Sequence, residues 1–315
     1  TGENLGPVAM FTYYVKETSK SPKKERMKQE GKDAKTKKDN PYPSYEDLKA
    51  ERDYKSDQLV FTIKDASGNV VRKLFKNASK GVNRMQWDLR FAPKDAISLS
   101  RPSFYNPFAG KKEGTLVAPG DYTVEMDMMK NGELVDLDLK QNFTIKSLNN
   151  TVLPAKDIAA KIAFQNEVEE FSRSMQGANS LMREINNKMR YIKEAVKVMD
   201  EPIAGVLEPI KNIEDQMRNI STLMNGDRIL SRLDIDQKPS PNQRLGMIRY
   251  EQKYSTAEPT KTHIESLAIA KEEFEPIYAL LKKVATQELP ALEDLLEKYK
   301  APYTPGRALK MMQGQ

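Results

Sequence analysis

Two hydrophobic periodicities divide the chain near residue 147. Before it, apolar positions come in short β-branched and aromatic runs, or alternate with polar ones, which is the signature of strands. Residues 8–15 form such a run, and residues 59–65 and 70–74 flank a Ser67-Gly68-Asn69 turn as a hairpin. Over 82–89, Asn83, Met85, Trp87 and Leu89 fall on one face, so the single tryptophan is expected as a sheet-core anchor. A Pro, Gly and Ser-rich loop is expected over 93–116, then a strand at 122–128, an Asn131-Gly132 turn and a return strand to about Ile145. That makes six or seven strands, the number of an immunoglobulin-like β-sandwich.

After a linker at 147–151 the period becomes helical. Ile158, Ile162, Phe164, Val168, Phe171, Met175, Leu181, Ile185, Met189, Ile192, Val196 and Met199 form one stripe, with a bend possible at Gly177. A second helix is predicted over about 202–224, ending at Asn225-Gly226, then a connector to Pro241, a helix over 241–254 and a longer one over 259–299 interrupted near Pro290. The sum is an antiparallel α-helical bundle over 152–300, with 301–315 as a tail.

Charge singles out one segment. The net charge is +6, and residues 16–38 alone hold ten Lys or Arg with almost no large apolar side chain. Such a stretch cannot bury enough surface to offset its ordering entropy, so it is expected as a solvated loop with at most a nascent helix. It opens a Lys-rich insertion at about 17–57, in which Ser44 caps a short helix with Asp47 three residues on. Lys23, Lys24, Arg26, Lys28, Lys35, Lys37 and Lys38 are the candidate interaction residues, for an acidic protein neighbour or another polyanion. Aromatic residues for base stacking are missing between Tyr14 and Tyr42, which disfavours nucleic acid.

Composition removes several chemistries. With no cysteine and only His263, thiolate chemistry and multi-histidine metal sites are excluded, and no apolar run reaches the roughly 18 residues of a membrane span. His263 reads as a cap or surface residue, the methionines as core packing, and Asp65-Ala66-Ser67-Gly68-Asn69 as a turn instead of a calcium loop. Adjacent acids such as Glu169-Glu170 and Glu272-Glu273 do not face each other across a sugar, so no catalytic residue, cofactor or metal site is assigned. The start at Thr1, without Met, suggests a fragment or processed product.

The order of motifs carries a resemblance. Phe11-Thr12-Tyr13-Tyr14-Val15-Lys16 is followed by the Lys-rich insertion, Pro41-Tyr42-Pro43-Ser44-Tyr45, Asp65-Ala66-Ser67-Gly68-Asn69, Trp87-Asp88-Leu89-Arg90 and Ala118-Pro119-Gly120-Asp121-Tyr122. Pro241-Asn242-Gln243-Arg244-Leu245 and Glu258-Pro259-Thr260 continue it in the helical half. This resembles the C-terminal region of the sortilin-type, BNR-repeat β-propeller proteins of Bacteroidetes, often labelled glycosyl hydrolases. The strand half is similar to the immunoglobulin-like domain of flagellar hook-capping proteins. No Asp-box repeat occurs in this chain, so any hydrolase activity the label implies belongs to an upstream propeller.

The resemblance implies a non-catalytic accessory or scaffold region of a secreted or envelope protein, periplasmic, outer-membrane-associated or at the cell surface. Its partners would be the upstream β-propeller and an envelope or secretion-related protein. Trp87, Asp88, Arg90, Pro119, Gly120 and Tyr122 are its structural residues. The alternative is the tail of a sialidase-like glycoside hydrolase that binds carbohydrate, with Tyr13, Tyr14, Phe104, Tyr105 and Phe108 as a sugar platform.

Overall fold

The computed structural model describes residues 6–99, 104–107, 113–148, 153–199 and 204–308. It is a mixed protein, about 49% helix and 20% strand, with two antiparallel sheets and a helical C-terminal region. It divides into two compact units, Thr1–Pro93 with Gly110–Asn150, and Lys94–Ala109 with Thr151–Gln315.

The first unit holds β1 (Ala9–Val15), β2 (Gln58–Asp65), β3 (Val70–Asn77), β4 (Gly81–Trp87), β5 (Gly120–Lys130) and β6 (Glu133–Ile145). β1 pairs with β4 in unbroken register, Ala9 opposite Trp87 through Val15 opposite Gly81. The other four strands lie in the order β3-β2-β5-β6. Inward side chains of both sheets meet in one hydrophobic cluster, with Val15 and Trp87 from the first sheet and Leu59, Phe61, Ile63, Tyr122 and Val124 from the second. The predicted alternation holds in β4, where Asn83, Met85 and Trp87 point inward and Val82, Arg84 and Gln86 outward.

The Lys-rich insertion departs from expectation. It carries a helix of fourteen residues, α1 (Pro22–Lys35), and a second helix, α2 (Tyr45–Asp53). Neither has a buried residue, so the argument that this segment cannot build a core holds. What forms α1 instead is local: Pro22 at its start, Lys, Arg, Glu, Gln and Met as good helix formers, and ion pairs described below. α2 begins with a full capping box between Ser44 and Asp47.

The second unit holds α3 (Ile158–Lys197), α4 (Ala204–Asn225), α5 (Arg228–Arg232), α6 (Pro241–Tyr254), α7 (Lys261–Lys283) and α8 (Leu289–Lys298). α3 runs uninterrupted through Gly177. Its stripe from Phe164 to Val196 packs in one cluster with Ile213 and Ile220 of α4, Ile248 of α6, Leu267, Phe274 and Leu281 of α7, and Leu292 of α8. Met175, Met182, Met189, Met217 and Met224 all pack in that core, filling it as flexible thioethers do. Gly226, at φ 84°, ends α4 where an L side chain would be strained. Between α7 and α8, residues 284–288 form a π turn. Pro290 follows, lacks the N–H that an α ladder needs, and sits in the first turn of α8.

Residues 301–308, expected as tail, fold back on the helices. Arg307 is buried, donates to Ala301 O at 3.0 Å and pairs with Glu297 at 2.7 Å, while Lys188 Nζ donates to Gly306 O at 3.0 Å. Residues 309–315 lie outside the described residues.

Candidate interaction surfaces

α1 is held by one arginine. Arg26 Nε and Nη2 donate to the two carboxylate oxygens of Glu51 at 2.5 and 3.0 Å, and Nη1 donates to Glu30 at 2.5 Å. A planar guanidinium suits this fork. Arg26 holds the Glu51 carboxyl below its ordinary range, chiefly through these hydrogen bonds. The side-chain and backbone hydrogen bonds of Ser44 do the same to Asp47. The ends of the excursion are fastened to each other just before β2: Ser19 N donates to buried Asp57 at 2.6 Å, and Tyr54 OH donates to Ser19 O at 3.1 Å.

This clasp orients the lysines. At about 100° per residue, Pro22, Arg26, Glu30 and Asp33 share the face toward α2. Lys24, Lys28, Lys32 and Lys35 then share the opposite face, and all four are exposed. Lys23 lies nearer the α2 face, where its charge also helps hold the Glu51 carboxyl low, and Lys37 and Lys38 follow in the turn, Lys37 at φ 56°. Among the described residues none of these seven lysines has an ion pair within 4.0 Å; the exposed pair nearby is Lys20 with Glu25. The predicted set therefore splits: Arg26 is internal to the clasp with Lys23 beside it, Lys24, Lys28 and Lys35 share the exposed face together with Lys32, and Lys37 and Lys38 follow in the turn. Glu51, which sequence reading did not single out, is the anchor, and only its distance from Arg26 in the sequence hid it.

Trp87, Asp88 and Arg90 build a pinned corner. Trp87 is fully buried, and its Nε1 donates to Arg90 O at 2.9 Å. Asp88 accepts from Arg90 N at 3.2 Å across Leu89, which sits at φ 57°. Arg90 Nη1 reaches Gly114 O at 2.9 Å, and Phe91 and Thr115 pair alongside. Gly114 is obligatory here, because a Cβ would lie 2.2 Å from Phe91 O. Across the cluster, Pro119 and Gly120 lead into β5, and Tyr122 OH donates to Ala118 O at 2.7 Å. The Trp87 and Tyr122 rings meet edge to face at 5.8 Å, and burial pushes the Tyr122 phenol up. Through these bonds Trp87, Asp88, Arg90 and Tyr122 fix loops, with Asp88 exposed at the surface.

A groove of about 990 Å³ opens between β1 and β6. Phe61, Val124, Met126 and Phe143 line it with the backbone-bearing edges of both strands. Tyr13 and Tyr14 do not share a face there: Tyr13 turns inward against Phe61, with ring centroids 5.1 Å apart, while Tyr14 is exposed. Phe104 and Tyr105 are exposed in the segment grouped with the helices, and Phe108 lies outside the described residues.

In the helical unit, polar side chains tie elements together. Arg249 of α6 pairs with Asp95 at 3.0 Å and Glu169 at 3.3 Å, and Lys94 pairs with Glu170 at 2.7 Å, which lays residues 94–96 on α3. His263 is buried, not superficial. Its backbone N–H donates to Thr260 Oγ1, and its Nδ1 accepts from Thr260 N at 3.2 Å and lies 3.0 Å from Gln252 Nε2. With Nδ1 accepting, Nε2 carries the proton and donates to Glu251 at 2.5 Å. All nitrogens of the ring are thus used in joining α6 to α7. Among the described residues no group of three or more His, Cys, Asp or Glu could hold a metal ion. No described helix is long and apolar enough to cross a membrane.

No family model, curated protein or solved structure matches the chain.

Proposed function

We propose that this chain is a non-catalytic accessory region, an immunoglobulin-like β-sandwich followed by an antiparallel helical bundle, that packs against a β-propeller and docks on an acidic envelope protein. Support for the sandwich is the shared core of the two antiparallel sheets and the Tyr122 corner. Support for the bundle is one hydrophobic cluster drawing on α3, α4, α6, α7 and α8. The propeller and the envelope location rest on the motif resemblance.

One observation carries the docking role: Lys24, Lys28, Lys32 and Lys35 stand exposed on one face of α1, with no carboxylate among the described residues in an ion pair with them, on a helix whose other face is clamped. A clamped cationic face presents its charges already arranged, which favours fast association with an acidic surface. With no apolar stripe on α1, insertion into a bilayer is the weaker use of it.

The test is capture from envelope fractions by the 315-residue chain, followed over a salt series. A stoichiometric partner is expected, its capture falling steeply as salt rises. Reversing Lys24, Lys28 and Lys35 to Glu together should abolish capture while leaving the fold intact. Hydrolysis of a glycoside by the chain alone, abolished by a single carboxylate substitution, would overturn the reading.

A further inference from the structure

We propose that His263 is an acid-operated latch: a second proton on its imidazole opens the cap of α7 and loosens the α6–α7 turn together with the start of α3. The device lies in the helical unit and uses none of the α1 lysines, so its failure leaves the docking proposal standing.

α2, α6 and α7 each begin with a capping box, in which the side chain at the third helical position accepts from the N-cap N–H. α2 uses Asp47, which accepts from Ser44 N at 3.2 Å, and α6 uses Gln243, which accepts from Ser240 N at 2.8 Å. A glutamine amide does not titrate, and Asp47 is held below the ordinary carboxylate range. α7 uses a histidine, whose Nδ1 accepts from Thr260 N at 3.2 Å. Of the three, this is the acceptor that proton uptake turns outright into a donor, because imidazolium donates from both nitrogens and accepts at neither.

A closed cap and a proton on Nδ1 exclude each other. The Thr260 N–H points at that nitrogen, and the Gln252 amide lies 3.0 Å from it. The ring also stands in the first turn of α7, where the helix dipole opposes a cation. The open state, in contrast, has partners ready for the proton. Glu251 already holds Nε2 at 2.5 Å, and Gln252 Oε1 is buried without a partner among the described residues, so turning that amide over supplies an acceptor. The open state binds one proton more than the closed one, so falling pH shifts the chain toward it.

The other charged groups near the ring are engaged elsewhere or stand beside it in sequence. On α7, Lys261 and Glu265 are exposed and pair with each other at 3.4 Å. On α6, Lys253 follows Gln252. On the turn, Glu258 accepts from Lys156 N and Asp157 N at 2.8 and 3.0 Å, and on α3, Lys161 Nζ donates to Ser255 O at 2.6 Å. Among the described residues Glu251 is the charged group bonded to the ring.

These bonds carry the latch into α3. Besides Glu258 and Ser255, Thr256 O accepts from Ala155 N at 2.9 Å and Gln252 O accepts from Gln165 Nε2 at 3.2 Å. The start of α3 thus hangs on residues 252–258, the stretch that His263 fastens to α7.

The chain has a single histidine, so one imidazole signal in magnetic resonance reports its proton in the intact 315-residue protein. Amide hydrogen exchange, corrected for the intrinsic rate, is followed alongside it from about pH 8 to about pH 5. Exchange in residues 256–264 and 155–161 should rise by roughly tenfold, the size of a lost cap, in step with the imidazole signal, while α4 keeps its protection. His263→Gln keeps an acceptor that does not titrate, as Gln243 is in α6, and should abolish the rise. Glu251→Gln, at an exposed side chain, should move the rise to lower pH, because the imidazolium loses its ion pair. Three outcomes overturn the proposal. The imidazole takes no proton over this range, or takes it with no change in exchange. His263→Gln responds as the native chain does, which assigns the response to the Glu251 or Glu258 carboxylate. Protection falls evenly through α3, α4 and α8, which is general loosening and not a latch.

Discussion

Trp87 shows how much one side chain can hold. Its indole is wholly enclosed, touches the Tyr122 and Phe143 rings and spends its N–H on the Arg90 carbonyl, so it ties β4, β5, β6 and the following corner together. Trp87→Ala should lower the stability of the strand unit by about 3–5 kcal/mol, as large aromatic truncations in closed cores do. Tyr122→Phe removes one donor and leaves the Ala118 carbonyl without it, a loss of about 1 kcal/mol. Chemical denaturation of the two variants checks both values. Burial raises the phenol of Tyr122 and that of Tyr13. The unfolded chain therefore releases these protons first, and stability that is complete below about pH 10 falls as pH rises from there through the folded values. Tyr122→Phe should flatten that alkaline loss. Trp87 was legible in the sequence because alternation put it on the inward face. Gly114 and the contact it permits were not, since nothing local marks a glycine as the neighbour of Phe91, twenty-three positions earlier in the chain.

At the scale of elements, α1 marks where sequence patterns lose their hold. Periodicity detects a helix by the face it buries, and α1 buries none. Its stability comes from Arg26, paired with Glu30 one turn on and with Glu51 on α2, and the second of these is a tertiary pairing that no window reveals. Arg26→Met should leave both carboxylates unpaired and unwind α1, seen as a loss of helical circular dichroism equivalent to about fourteen residues with the β core unchanged. Acid should do the same. Asp47 and Glu51 are both held below their ordinary range, so they stabilise the helix pair above the usual carboxylate values. That contribution is lost as pH falls below about 4 and through the depressed values. Lowering pH should therefore release α1 and α2 before the strands, with Arg26→Met already released at neutral pH. The helices of the second half were legible for the converse reason: α3, α4 and α7 each bury a regular stripe, while the capping boxes that start α6 at Ser240 and α7 at Thr260 emerged only in the structure.

For the whole molecule, the decisive fact is that, among the described residues, the clustered buried hydrophobic side chains fall into two groups, one within each compact unit. Cooperativity in unfolding follows shared burial, so two clusters that share no residue are expected to give two transitions in calorimetry of the intact chain. Each transition can be assigned by one substitution. Trp87→Ala should move only the transition of the strand unit. Ile248→Ala opens a cavity in the helical cluster, where Ile248 is fully buried, and at about 2–5 kcal/mol should move only the other. The sequence placed the change of character near residue 147, yet 94–109 groups with the helices although it interrupts the strand half. That segment has no period of its own. Its first residues are held by Lys94 to Glu170 and by Asp95 to Arg249 and Gln176, pairings more than seventy residues apart that composition cannot foretell. If these pairings bind it to the helical unit, Arg249→Ala should lower the helical transition, because the ties of α6 to Asp95 and Glu169 would be lost, and leave the strand transition where it was. A shift of both transitions by that one substitution would mean that the two cores unfold as one.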